Sequence, residues 1–253
     1  MKVIWILALN SLREFIRDKV VLVSAFVAII LILFSILIGS LSFGEHQRIL
    51  AHLGLTAVHL AGLGISVFLG SSILHRELER QTCLLVLARP VDRAQFIIGK
   101  YFGILFLNTI IWAILSIVLY TILGFSFPLG NYLSVLYGIW MEHAILTALA
   151  LCISTFLRPS IAMFTCLTVF LAGNWLDEVT FFVKRAKIEL YIMTSAIIEK
   201  TVPNLFQMNW RSVYFLDKGV PGTQMTWVLI HGTGWIMLFL CLAVFVFRRK
   251  DLV

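Results

Sequence analysis

Glu142 and His143 are the residues whose chemistry is hardest to reconcile with their surroundings, because they sit inside an apolar run over residues 132–156. About ten residues from the outer end of that run, at roughly 1.5 Å rise per residue, they lie near the middle of an apolar layer about 30 Å thick. A carboxyl and an imidazole are costly in lipid, so both must face a neighbouring helix or a water-filled cavity. Two roles stay open for them: a hydrogen-bonded pair that fixes helix packing, or a polar contact for something moving through the membrane.

His59 and His52 are seven residues apart on another apolar run and share a helical face. His231 stands near the outer end of a third, beside Gly232 and Gly234, which suit close helix contact. These imidazoles could ligate a soft metal together with Met141, but no spacing forms a recognised ligand set, and lone histidines usually serve as satisfied polar groups. No metal is therefore assigned. His59, Glu142, His143 and His231 are kept as intramembrane polar candidates.

Hydrolytic chemistry has no support. The chain has no HExxH and no GxSxG, and His75-Arg-Glu77 lacks a second histidine. Gly99-Lys100 is not a phosphate-binding loop, because Tyr101 replaces the required Ser or Thr and Ala94 occupies the position of the first glycine. Catalytic residues are thus expected to be absent. Cys83, Cys152, Cys166 and Cys241 include no CxxC pair and suggest neither a disulfide framework nor a zinc knuckle.

The elements that position these residues follow from composition. Of 253 residues, 60% are hydrophobic and 13% charged, and the mean hydropathy is +0.99; a soluble domain carries about 25% charged residues. Since a span needs about 20 helical residues, the expectation is one all-α polytopic membrane domain over residues 1–253. Six transmembrane helices are expected at 20–43, 50–74, 101–123, 132–156, 161–176 and 225–247. The first strong apolar run is too long for a signal-peptide core and lacks a small-x-small site, so no cleaved leader is expected.

Thirteen Lys and Arg residues fall on one side of this arrangement and seven on the other, six of those in the long connection 177–224. Positive loops stay cytoplasmic, which puts both termini in the cytoplasm and the basic residues to work as topology determinants. No nucleic-acid partner is implied.

Before the first span, Asn10, Arg13, Glu14 and Arg17 recur at helical spacing opposite Ala8, Leu12 and Phe15. This is the pattern of an amphipathic elbow helix over 1–19 lying in the interface. The external loop 177–224 should hold short helices, with Lys184, Arg185, Lys187 and Glu189 near Ile188, Tyr191, Ile192 and Ile197. It would cap a pathway from outside or pack back against the spans. Trp210 and Tyr214 suit a membrane interface.

The segment 75–100 is charged and lies between the second and third spans on the cytoplasmic side. Thr82 can cap a short helix through Leu84, Leu85 and Leu87, Pro90 forces Arg89 out of helical geometry, and Asp92 can cap the helix that becomes the third span. A stiff helix lying flat there could be pushed by a partner. By periodicity alone it could equally be a hairpin whose leucines pack on the protein's own helix ends.

This segment resembles the coupling segment of ABC-2 type transporter permeases, in which acidic residues precede Gly-Thr, a leucine triplet, Pro-Val-x-Arg and a Gly-Lys opening the third span. The matching residues are Glu77, Glu79, Thr82, Leu84, Leu85, Pro90, Val91, Arg93, Gly99 and Lys100, with Gln81 where the family usually has glycine. The ending Phe247-Arg-Arg-Lys-Asp-Leu252 is similar to the family's terminal Arg-Arg-Asp-Leu. Val202-Pro-Asn-Leu205 with Asn209 resembles an element of the branch linked to multicopper-enzyme maturation.

The resemblance implies a permease that binds no cofactor itself and exports an unidentified substrate. ATP and Mg would sit on a separate cytoplasmic ABC ATPase subunit, present in two copies. ATPase-coupling residues would then be Glu77, Glu79, Thr82, Leu84, Leu85, Leu87, Arg89, Pro90, Arg93, Gly99 and Lys100. A second copy of the chain or a similar permease would complete the pathway, most simply as a homodimer, in contact with membrane lipid of a bacterial inner or other cytoplasmic membrane. There is room for an external partner protein. The rival reading is an ATP-independent secondary transporter or channel, which should show paired broken helices in corresponding halves; the chain has no such symmetry.

Overall fold

The computed structural model describes residues 2–41, 44–79, 92–125, 127–186, 198–211 and 219–249, and every regular element among them is helical. The long helices are α1 (Lys2–Phe15), α2 (Lys19–Ser40), α3 (His46–Glu79), α4 (Arg93–Ile122), α5 (Leu129–Ser154), α6 (Pro159–Ala186) and α7 (Gly222–Arg249). A 3-10 turn spans Phe206–Met208. Six of these helices, α2 to α7, are long and apolar enough to cross a membrane.

Local chemistry marks several helix ends. Asp18 is extended and its carboxylate accepts from the Val20 N–H at 3.0 Å, starting α2. Asp92 forms a capping box with Gln95 and starts α4 at Arg93, eight residues before the apolar run that begins at Tyr101. Gly124 and Phe125 both take left-handed backbone, with φ of 65° and 58°, which breaks the chain after α4. Pro159 opens α6 at a position where its missing N–H costs nothing.

α5 is the central helix and packs against α3, α4, α6 and α7. Its surface is buried nearly all round, so a residue on it meets protein whichever way it points. α2 is the opposite case. It packs on α3 through a stripe of Val21, Ala28, Ile32, Ser35 and Gly39, while residues such as Phe26, Ile30, Leu33 and Leu37 are exposed. An apolar helix so open suits a lipid solvent.

Close approach between helices relies on small residues. Gly62, Ser66 and Gly70 recur every four residues on α3 and face α5: a Cβ at Gly62 would collide with the His143 ring, and one at Gly70 would lie 2.6 Å from the Ala150 Cβ. On α4, Gly99 and Gly103 have the same spacing and face α1, where an added Cβ would come within 2.7 Å of Leu7 and Ser11 respectively.

α6 runs ten residues past Leu176, where the apolar run ends. Asp177 and Glu178 interrupt hydropathy, but neither breaks a helix, so the charged stretch through Lys184 and Arg185 continues the same rod. Residues 187–197, including Ile188, Glu189, Tyr191 and Ile192 of the expected short helix, lie outside the described residues.

Candidate functional site

Two polar clusters interrupt the apolar packing. The first joins the ends of α1, α3 and α4. Glu77, near the end of α3, and Lys100, two turns into α4, are each more than nine-tenths buried and form a direct ion pair. Lys100 Nζ also lies 3.7 Å from Glu14 of α1 and sits over the rings of Phe15 and Phe96 at 5.7 and 5.8 Å. One cation thus meets two carboxylates and two aromatic faces, each on the segment leading into or out of 80–91 or on α1.

Neighbouring contacts hold the same end together. Arg76 Nη1 donates to Asp18 Oδ2 at 2.6 Å, so the residue that caps α2 also anchors α3. His75 Nε2 and Glu79 Oε1 pair at 3.0 Å on the last turn of α3. Arg93 Nη1 donates to the carbonyls of Phe247 and Arg248 at 3.1 and 2.9 Å, satisfying the C-terminus of α7. Phe96 stacks on Phe247 with centroids 5.7 Å apart.

Of the residues expected to couple to an ATPase, Glu77 and Lys100 are therefore brought together, Gly99 faces Leu7 of α1, Glu79 pairs with His75, and Arg93 reaches α7. Thr82, Leu84, Leu85, Leu87, Arg89 and Pro90 lie outside the described residues. On α1, Ala8 and Phe15 are buried, whereas Asn10, Arg13 and Glu14 are exposed, as is Arg17 just past its end.

The second cluster lies mid-bundle. His59 Nε2 donates to Glu142 Oε2 at 2.9 Å, and Asn174 Nδ2 of α6 donates to Glu142 Oε1 at 2.8 Å, so both carboxylate oxygens are engaged. His143 stacks on His59 at 5.4 Å and 13° and donates through Nε2 to the His59 carbonyl at 3.0 Å. Its Nδ1 is buried without a partner among the described residues. Because His143 addresses backbone, the two imidazoles and the carboxylate do not share a ligand position, and no metal-binding group occurs among the described residues.

The network continues along the small-residue face of α3. Thr147 Oγ1 and Asn108 Nδ2 both donate to Ser66 Oγ, at 3.0 and 2.9 Å, and Asn108 also reaches the Gly62 carbonyl at 3.3 Å. Arg211, from the connection before α7, donates to Thr56 Oγ1 at 3.1 Å and to Asn209 Oδ1 at 2.8 Å. Burial pulls its guanidinium below the ordinary value, an effect opposed by the Glu142 carboxylate. The arrangement holds a carboxylate in the membrane interior on two hydrogen-bond donors, His59 of α3 and Asn174 of α6, with the Arg211 charge acting at longer range.

His231 is not part of this cluster. It stacks on Trp227 at 4.4 Å and 15° and packs edge-on against Trp235. Asn174 was not singled out by sequence reasoning, although a carboxamide inside the apolar run 161–176 is a signal of the same kind as Glu142.

The Pro203-Asn-Leu205 element closes over α6. Leu205 N–H donates to the Gly173 carbonyl at 3.2 Å, and Asn204 Nδ2 donates to Asp177 Oδ1 at 2.8 Å. A Cβ at Gly173 would lie 2.7 Å from the Pro203 carbonyl oxygen, so glycine is what allows the contact. Met208 is fully buried against Gly138 of α5.

None of the curated proteins compared with the chain matches it. The family profile described as ABC-2 type transporter matches residues 2–198.

Proposed function

The chain belongs to the ABC-2 type transporter family and is a membrane-spanning permease subunit; from that premise we propose that it couples ATP hydrolysis on a separate cytoplasmic ATPase to export of a substrate. Residues 75–100 form the docking element for that ATPase. Two copies of the chain with two ATPase subunits make the working assembly, and ATP and Mg reside on the ATPase. Both termini and the Glu77–Lys100 end face the cytoplasm of a cell membrane, consistent with the basic residues at that end.

One observation carries this reading. The family match runs through the whole of 75–100, and the two flanks of 80–91 are joined by the buried Glu77–Lys100 pair and tied to α1 by Lys100–Glu14 and to α7 by the Arg93 hydrogen bonds and the Phe96–Phe247 stack. A push on the segment would therefore move α1, α3, α4 and α7 together instead of being absorbed by slack chain. In this account α1 is the elbow helix, and Gly99 and Lys100 serve coupling by fixing it to α4.

The test is copurification from the native membrane. With the segment intact, a Walker A ATPase should copurify with the chain. Replacing Glu79, Leu85 and Arg93 together by alanine should abolish the complex while the chain remains monodisperse. A chain that never associates with an ATPase would leave an ATP-independent transporter as the better account.

A further inference from the structure

A cavity of about 500 Å³ opens between α6, the 206–210 connection and the start of α7, at the end of the bundle away from Lys100. Its volume falls within the roughly 300–1,000 Å³ of small-ligand sites. Its walls combine two kinds of group. Phe206 and Trp227 are 38% and 39% exposed, and Trp227 has one face stacked on His231, which leaves the other for the cavity. Gln207 and Gln224 contribute exposed carboxamides with no side-chain partner among the described residues.

The deeper wall is built and not merely exposed. Trp210 lines the cavity, is 95% buried and stacks on Tyr137, yet its indole N–H makes no hydrogen bond among the described residues. Asp177 has Oδ1 held by Asn204, which leaves Oδ2 as an acceptor. Asn209 has its oxygen held by Arg211, which leaves its NH₂ as a donor.

We propose that this cavity is a binding site for an uncharged sugar residue. Carboxamides supply donor and acceptor side by side, matching the vicinal hydroxyls of a sugar; the indole N–H of Trp210 and the free oxygen of Asp177 add one donor and one acceptor. The C–H face of the ring lies on Trp227 and Phe206. Other ligand classes fit less well. An anion would meet Asp177 with no Lys or Arg among the described residues of the wall, because Arg211 is turned to Asn209 and Thr56. A quaternary ammonium needs an enclosing aromatic cage, whereas carboxamides interrupt the rings here. A ring of an interfacial aromatic belt would face lipid, whereas Trp210 is buried against Tyr137.

The site stands on the cavity and not on the coupling reading: binding is measured on the permease alone, ATPase association on the complex, so either can fail without the other. The full chain is reconstituted in nanodiscs without alkyl-glycoside detergent, whose headgroups would compete. Maltotetraose, chitotetraose and mannotetraose are titrated by calorimetry and by saturation-transfer NMR, with choline and inorganic phosphate as controls. At least one tetrasaccharide should bind with Kd of about 1 mM or tighter, and Trp227→Ala and Gln224→Ala should each weaken it about tenfold. Gln224 is exposed, so its variant keeps the test valid if Trp227→Ala fails to fold. Binding of no sugar, binding that survives both substitutions, or binding of choline or phosphate in place of sugar would overturn the proposal.

Discussion

Lys100 of α4 closes a buried ion pair with Glu77 of α3, joining the two helices that enter and leave the segment 80–91. Removing one member of such a pair strands the other charge, which costs about 3–5 kcal/mol. Lys100→Met should therefore lower the thermal unfolding midpoint of the purified chain markedly, and the double variant Glu77→Leu/Lys100→Met should recover much of the loss. If single and double variants unfold alike, the pair is not coupled.

Gly99 and Gly103 set how near α1 comes to α4. Gly99→Ala places a methyl 2.7 Å from the Leu7 Cβ, and overpacking of this kind costs about 1–3 kcal/mol. Gly99→Val should cost more and raise protease sensitivity within α1. The same substitution at Gly130, which has nothing within 4 Å, should be close to neutral in the same unfolding assay.

Glu142 holds His59 and Asn174 through its two oxygens. Glu142→Leu leaves the buried His59 N–H unpaired, at about 1–3 kcal/mol, whereas Asn174 loses one partner and keeps its bond to the Phe170 carbonyl. Glu142→Gln keeps one acceptor and should lose less. Unfolding of the two variants in detergent distinguishes them, and equal stability of Leu and wild type would remove the packing role of the cluster.

Asn204→Ala removes the tie to Asp177, which is worth about 1 kcal/mol. Hydrogen exchange at Leu205, whose N–H bonds to the Gly173 carbonyl across the same contact, should speed up several-fold. Unchanged exchange would mean that Asn204 does not hold the element down.

Much of this was legible in the sequence because lipid imposes simple rules. Six apolar runs announced six spanning helices, although the run 161–176 is shorter than the helix that carries it, and Glu142 stood out by charge within one of them. Asn174 escaped because an amide carries no charge and little hydropathic weight. The pairing of Gly173 with Pro203, 30 residues later in the chain, has no local signature; nor has the choice of Glu77 and Glu14 as partners of Lys100, which motif reading assigned to ATPase coupling without a geometry. The length of α6 was hidden because hydropathy marks where lipid ends, and helical hydrogen bonding does not stop there.

The central claim, that 75–100 is the element through which an ATPase acts, is tested most directly by a photo-cross-linking residue at Leu85, activated in native membranes. The account predicts a cross-linked product containing this chain and a Walker A ATPase, lost when the same residue is placed at Phe206 at the opposite end of the bundle. Cross-links from Leu85 only to the chain itself or to lipid, with the ATPase present in the membrane, would contradict it.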